Sequence, residues 1–82
     1  MNREHTLFHL REAAEELVRT IRDMETDPEY DYAEFRVAMQ HLYHHLNTAW
    51  NARDKTAERV AACSEADFFR WRRFPQDLDL SE

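Results

Sequence analysis

From Leu7 onward the apolar positions fall at Leu7, Leu10, Ala14, Leu17, Ile21 and Met24, in strictly alternating steps of three and four. That period predicts an amphipathic helix with a narrow apolar seam. Val18 widens the seam on one side, and Phe8 lies off it, available for some other contact. Thr6 is the expected N-cap. The helix should stop at Asp27-Pro28, because a residue before proline is pushed out of the α region.

A second seam follows at Tyr32, Phe35, Met39, Leu42, Leu46 and Ala49. Asp31 and Glu34 have capping-box spacing and set its start. The same register runs on through Arg53 and Thr56 to Val60 and Cys63, which favours one long second helix, about 48 Å against about 30 Å for the first. The alternative is a break near Asn51 to Asp54, where either residue can cap. Tyr43 and Trp50 flank the seam, so its apolar face is wider than one neighbour can cover. The link from Thr26 to Tyr30 is short, and short links join antiparallel helices. Leu17 and Ile21 are thus expected to meet Phe35, Met39 and Leu42 away from water.

Ser64-Glu65-Ala66-Asp67 repeats the pattern of an N-cap with a carboxylate three residues on, ahead of Phe68, Phe69, Trp71, Phe74 and the stop at Pro75. A short third helix is expected there, folded back on the overhang of the second or docked on another chain. The fold expected is all-α, a helical hairpin with a long second helix and a short C-terminal helix, dimerising into a helical bundle. Residues 1 to 75 make one domain, and 76 to 82 a flexible acidic tail.

Composition agrees with this and removes several alternatives. Glycine is absent and only Pro28 and Pro75 are present, so the chain favours helix and has no Gly-rich phosphate loop. Cys63 is the single cysteine, which rules out an internal disulfide and a cysteine-rich zinc site. With 82 residues and no staple, the chain is of the size that usually needs idealised packing or a partner. The first residues alternate charged and apolar side chains, without the apolar core of a signal peptide, and no run approaches a membrane span. Cytoplasmic residence is the expectation.

The net charge of -6 is uneven. Residues 1 to 34 carry 4 basic and 10 acidic side chains, whereas residues 35 to 74 carry 7 and 4. The two parts are expected to complement each other within the fold. This balance argues against nucleic acid, whose non-specific affinity comes from clustered Lys and Arg.

Five histidines are the main candidate chemistry. His5 and His9 are four apart, as are His41 and His45, a spacing that puts two imidazoles on one helix face. Counted from the Leu7 seam, however, His5, His9, His41 and His44 face outward, only His45 flanks the seam, and Glu12 and Glu16 also turn out. The pairs are not expected to converge, and no metal or other cofactor is assigned. Arg36 and His41 have the Arg-x4-His spacing that resembles the nuclease motif of HEPN-type helical bundles, which would imply cleavage of an RNA phosphodiester. The similarity covers six residues, and the two side chains lie about 140° apart around a helix. Arg70, Arg72 and Arg73 interleave with the aromatics of the third helix, as expected for a helix C-terminus favoured by the macrodipole. Cys63 is expected buried at the end of the seam, and no nucleophile stands in a spacing that suggests a base.

No catalytic residue is therefore assigned. The expected function is a non-enzymatic protein-protein interaction or scaffold module, either a homodimer or bound to a protein partner, with no role for nucleic acid or membrane. The candidate surface is Phe8, Tyr43, Trp50, Phe68, Phe69, Trp71 and Phe74. A second reading is an acidic decoy, in which Glu12, Glu15, Glu16, Asp23 and Glu25 occupy a basic site on a partner.

Overall fold

The computed structural model describes residues 1–81, so the part of the acidic tail at Glu82 lies outside the described residues. These residues form four helices: α1 (Arg3–Thr26), α2 (Tyr32–Asn51), α3 (Ala57–Ala61) and α4 (Glu65–Trp71). The first two pair antiparallel as a hairpin, and the two short ones fold back on it. No strand occurs among the described residues.

The first helix begins one turn earlier than expected. Asn2, not Thr6, is the N-cap, and its Oδ1 accepts from the amide of His5 at 3.1 Å. The same side chain donates through Nδ2 to the carbonyl of Lys55 at 2.9 Å, while the Asn2 amide donates to the carbonyl of Arg53 at 2.6 Å. One residue thus caps α1 and satisfies two carbonyls just beyond the end of α2. These contacts explain why α2 does not run on to Cys63. It stops at Asn51, where the expected alternative break lay, and α2 is shorter than α1 rather than longer.

Carbonyls at a helix end need partners. Here Arg53 Nη1 supplies one to the carbonyl of Trp50 at 2.8 Å, and the amide of Lys55 supplies one to Ala52 at 3.0 Å. Thr56 then opens α3, its hydroxyl accepting from the amide of Arg59 at 3.1 Å. Where one overhanging helix was expected, the chain therefore makes a capped corner.

Two other starts follow the sequence pattern. Asp31 Oδ1 accepts from the amide of Glu34 at 2.9 Å at the head of α2. At α4, Ser64 and Asp67 form a reciprocal capping box, each side chain accepting from the other's amide at 3.1 Å. Asp67 is only 3% exposed and is further held by Arg59 Nη2 at 2.7 Å and by the guanidinium of Arg70. With those donors around it, its carboxyl is held down to about 2, the Ser64 backbone hydrogen bond contributing most and Arg59 next.

The interface between α1 and α2 is rotated from the expected seam. The buried positions of α1 are His9, Ala13 and Thr20, with Glu16 half-buried between the last two. On α2 the buried row is Ala38, Ala49 and, just past the helix, Ala52, with Leu42 and His45 half-buried in the same register. Small residues let the two backbones approach. The apolar residues Leu10, Leu17 and Ile21 follow the buried positions by one, so they are turned about 100° to one side. Leu17 and Ile21 remain 45% and 48% exposed, and Phe35 is also exposed, which corrects the expectation that these side chains meet away from water.

Because the helices are antiparallel, an offset of one position later on α1 and one later on α2 points to the same side of the hairpin. Leu10, Leu17 and Ile21 therefore share a side with Met39 and Leu46. The short α4 packs on the outer face of α2, away from α1. Asn47 Nδ2 donates to the carbonyl of Arg72 at 3.0 Å, and Asn51 Nδ2 donates to those of Trp71 and Arg73, both at 2.7 Å. These three bonds take up carbonyls at the C-terminal end of α4, and Trp71, 6% exposed, is the largest buried side chain beneath it. The chain after α4 reaches the side of Met39 and Leu46, with Phe74 on Tyr43 and Asp77 accepting from Trp50, and leaves Leu10, Leu17 and Ile21 exposed.

Candidate functional site

The rotated register brings together histidines that the seam model had turned outward. His9 is 8% exposed, and its two ring nitrogens reach two other rings: Nδ1 lies 3.0 Å from His45 Nδ1, and Nε2 lies 3.2 Å from His5 Nε2. His44 completes the group, its ring centroid 6.0 Å from that of His9 and 4.7 Å from that of His45. The expectation that the pairs do not converge is overturned for His5, His9, His44 and His45. Only His41 stays out, 4.0 Å from Glu16.

The hydrogen-bond inventory fixes a direction through this row. A neutral imidazole has one N–H and one bare nitrogen. His5 Nδ1 is buried without a partner. A buried lone pair without a donor is tolerated more readily than a buried N–H without an acceptor, so the proton of His5 belongs on Nε2. His5 then donates to His9 Nε2, and His9 donates through Nδ1 to His45 Nδ1. His9 must be neutral for this row to hold, since one of its nitrogens accepts and the other donates.

Its surroundings favour that state. Desolvation, followed by the like charges that His5, His45 and His44 would carry, pushes His9 down to about 4. Burial lowers His5 as well. His44 is lowered first by burial and then by His45, Arg72 and His41.

Beside the row is a cavity of about 120 Å³ walled by His5, His9, His44, Thr48, Val60, Cys63, Phe68 and Trp71. Three buried polar atoms among these residues, His5 Nδ1, His44 Nδ1 and Thr48 Oγ1, make no hydrogen bond within the chain. Cys63, expected buried, is exposed. His9 offers opposite ring nitrogens to its two neighbours, so their donors do not share one centre. Among the described residues no group of three or more His, Cys, Asp or Glu side chains is arranged to hold a metal ion.

The candidate surface residues fall into separate places. Phe8 is exposed at the start of α1, edge-on to His9 with ring centroids 5.1 Å apart. Tyr43 packs on Phe74 at 5.1 Å, and Phe68 packs on His44 at 5.3 Å and on Phe69 at 5.6 Å. Trp50 donates through Nε1 to Asp77 Oδ1 at 2.9 Å and carries the Arg53 guanidinium 3.9 Å above its ring. Trp71 is in the interior. Sequence reasoning passed over Asn47 and took Asn51 only as a possible cap, although two asparagines four apart on a helix are a readable sign of polar contacts to another segment.

No family model, curated protein or solved structure matches this chain. No helix among the described residues is long and apolar enough to cross a membrane.

Proposed function

We propose that this chain is a non-enzymatic helical interaction module that works as a homodimer, two hairpins stacking their open apolar sides into a four-helix bundle. The observation that carries this reading is the amount of surface left exposed. A folded monomer of 10.0 kDa has about 5,200 Å² of accessible surface by the usual size scaling, whereas this chain has 6484 Å². The excess is about 1,200 Å², more than the roughly 800 Å² that each partner buries in an interface of ordinary size.

The radius of gyration points the same way, 14.6 Å against about 11.7 Å for a compact domain of this length. The exposed excess is also placed where it can be used. Leu10, Leu17, Ile21 and Met24 from α1, with Phe35 and Leu46 from α2, are all exposed. A row of this kind on both helices, exposed along one flank of the hairpin, matches the inner face of an antiparallel bundle. A second copy supplies the same face, which a two-fold axis makes self-complementary.

Sedimentation velocity across 1 to 100 µM tests the reading. The expected result is a species near twice the mass of the chain, converted to monomer by Leu17→Glu with Ile21→Glu while helical circular dichroism is retained. A native chain that sediments as a monomer at every concentration overturns it.

A further inference from the structure

A cleft runs between the outer face of α2 and α4, touching the histidine group at His44 and the flank of the hairpin at Phe35 and Met39. Its volume is about 820 Å³. Its lining runs along α2 from Tyr32 to Asn47, about 22 Å at the helical rise. That is the length of about seven residues of extended chain, so the cleft suits a segment of polypeptide better than a compact small molecule.

Its charge is the opposite of the protein's. The chain carries 17 acidic residues among 82, yet none lines this cleft, whereas Arg36 and Arg72 do. Neither Arg36 nor Arg72 forms an ion pair among the described residues. The Arg72 guanidinium is held over the rings of Phe68 and Phe69 at 5.0 and 4.9 Å, and Asn47 fixes its backbone. This charge is positioned in advance, with little side-chain freedom left to lose on binding. The rest of the wall is apolar and aromatic, including Phe35, Met39, Tyr43 and Phe74.

We infer that this cleft is a docking groove for an extended, acidic, leucine-bearing segment of a partner protein. An extended chain turns alternate side chains to opposite faces. A segment that alternates carboxylates with leucines would set the leucines against Tyr43, Met39 and Phe74 and carry the acids at the rim beside Arg36 and Arg72. Charge-assisted pairing of guanidinium with carboxylate supplies orientation and on-rate, and the apolar wall supplies affinity. This groove adjoins the proposed contact between copies, and the two share Phe35 and Met39.

A suitable probe is a fluorescein-labelled heptapeptide of alternating carboxylates and leucines unlike any segment of this chain, Glu-Leu-Glu-Leu-Glu-Leu-Glu, titrated with the full-length protein by fluorescence anisotropy. The expected result is saturable binding that weakens at least fivefold in Arg36→Glu and in Arg72→Ala. It should weaken by at least as much when every acid of the peptide is replaced by its amide, with the sedimentation of the protein unchanged. Absence of binding at 1 mM protein, or binding indifferent to both arginines, overturns the inference while leaving the dimer reading intact.

The chain's own tail is the competing occupant, since Leu80 is 87% exposed and Asp77 is already anchored at Trp50. If Asp79→Asn with Leu80→Ser raises the affinity for the probe fivefold or more, the tail fills the groove and the assignment to a partner fails. Unchanged affinity supports the partner.

Discussion

His9 is the best single test of the rotated interface, because a seam that left it in water would give it no unusual basicity. The folded ring holds its proton less tightly than the unfolded chain does, with a midpoint of about 4 against 6.5. As pH falls, the unfolded state takes up that proton first. The contribution of neutral His9 is therefore whole above pH 6.5 and is lost between there and about 4. Between pH 7.5 and 4.5 the linkage amounts to about 2.5 kcal/mol for a fully dry ring. The half-buried neighbours His5 and His44 admit water to one edge of the cluster, and screening of this kind reduces the figure to about 1 to 1.5 kcal/mol. The assay is urea unfolding followed by circular dichroism at the two pH values, for the native chain and for His9→Gln, which keeps a polar amide and cannot titrate. At pH 7.5 the variant should be the less stable by about 1 kcal/mol, through the lost contacts to His5 and His45. By pH 4.5 that difference should vanish or reverse. Parallel stability profiles for the two proteins across this range would refute the reasoning.

Other outcomes follow from particular contacts. Asn51→Ala removes two bonds to α4 and should cost about 1 to 2 kcal/mol, with Trp71 becoming accessible to acrylamide quenching; unchanged quenching would show that α4 is held by other means. Asn2→Ala removes the α1 cap and the bond to Lys55, so amide exchange should quicken both in the first turn of α1 and at residues 52 to 55, two regions far apart in sequence. Asp67 is held ionised well below the ordinary carboxylate range, so the stability it contributes is present above pH 3.8 and lost as pH falls toward about 2. Asp67→Asn should flatten that part of the acid-unfolding curve and leave the region near pH 5 unchanged.

The starts of α2 and α4 were legible in the sequence. Asp31 and Ser64 cap where their spacing to Glu34 and Asp67 said they would, because capping is decided within four residues. The side on which α1 meets α2 was not legible. An apolar stripe shows which residues avoid water, but in a hairpin the closest approach went to a row of small and polar side chains, Ala13, Thr20, Ala38 and Ala49, which lets the backbones come together. That left the bulky leucines on a flank, and the same rotation of about 100° explains why His9 was misplaced. The end of α2 depended on Asn2, 51 residues away in sequence from Arg53, and no local pattern reports such a contact. Where the aromatics of α4 would pack was likewise fixed by Asn47 and Asn51 on a different helix.

The central claim is that the flank bearing Leu17 and Ile21 is an interface between two copies of the chain. Isotope-filtered nuclear Overhauser spectroscopy on an equimolar mixture of labelled and unlabelled protein reads it directly. The account predicts transfer between chains from the Leu17 and Ile21 methyl groups to protons of Phe35, Met39 or Leu46, and none to Phe68 or Trp71. Methyl groups of Leu17 and Ile21 that show no transfer between chains at millimolar concentration would contradict it.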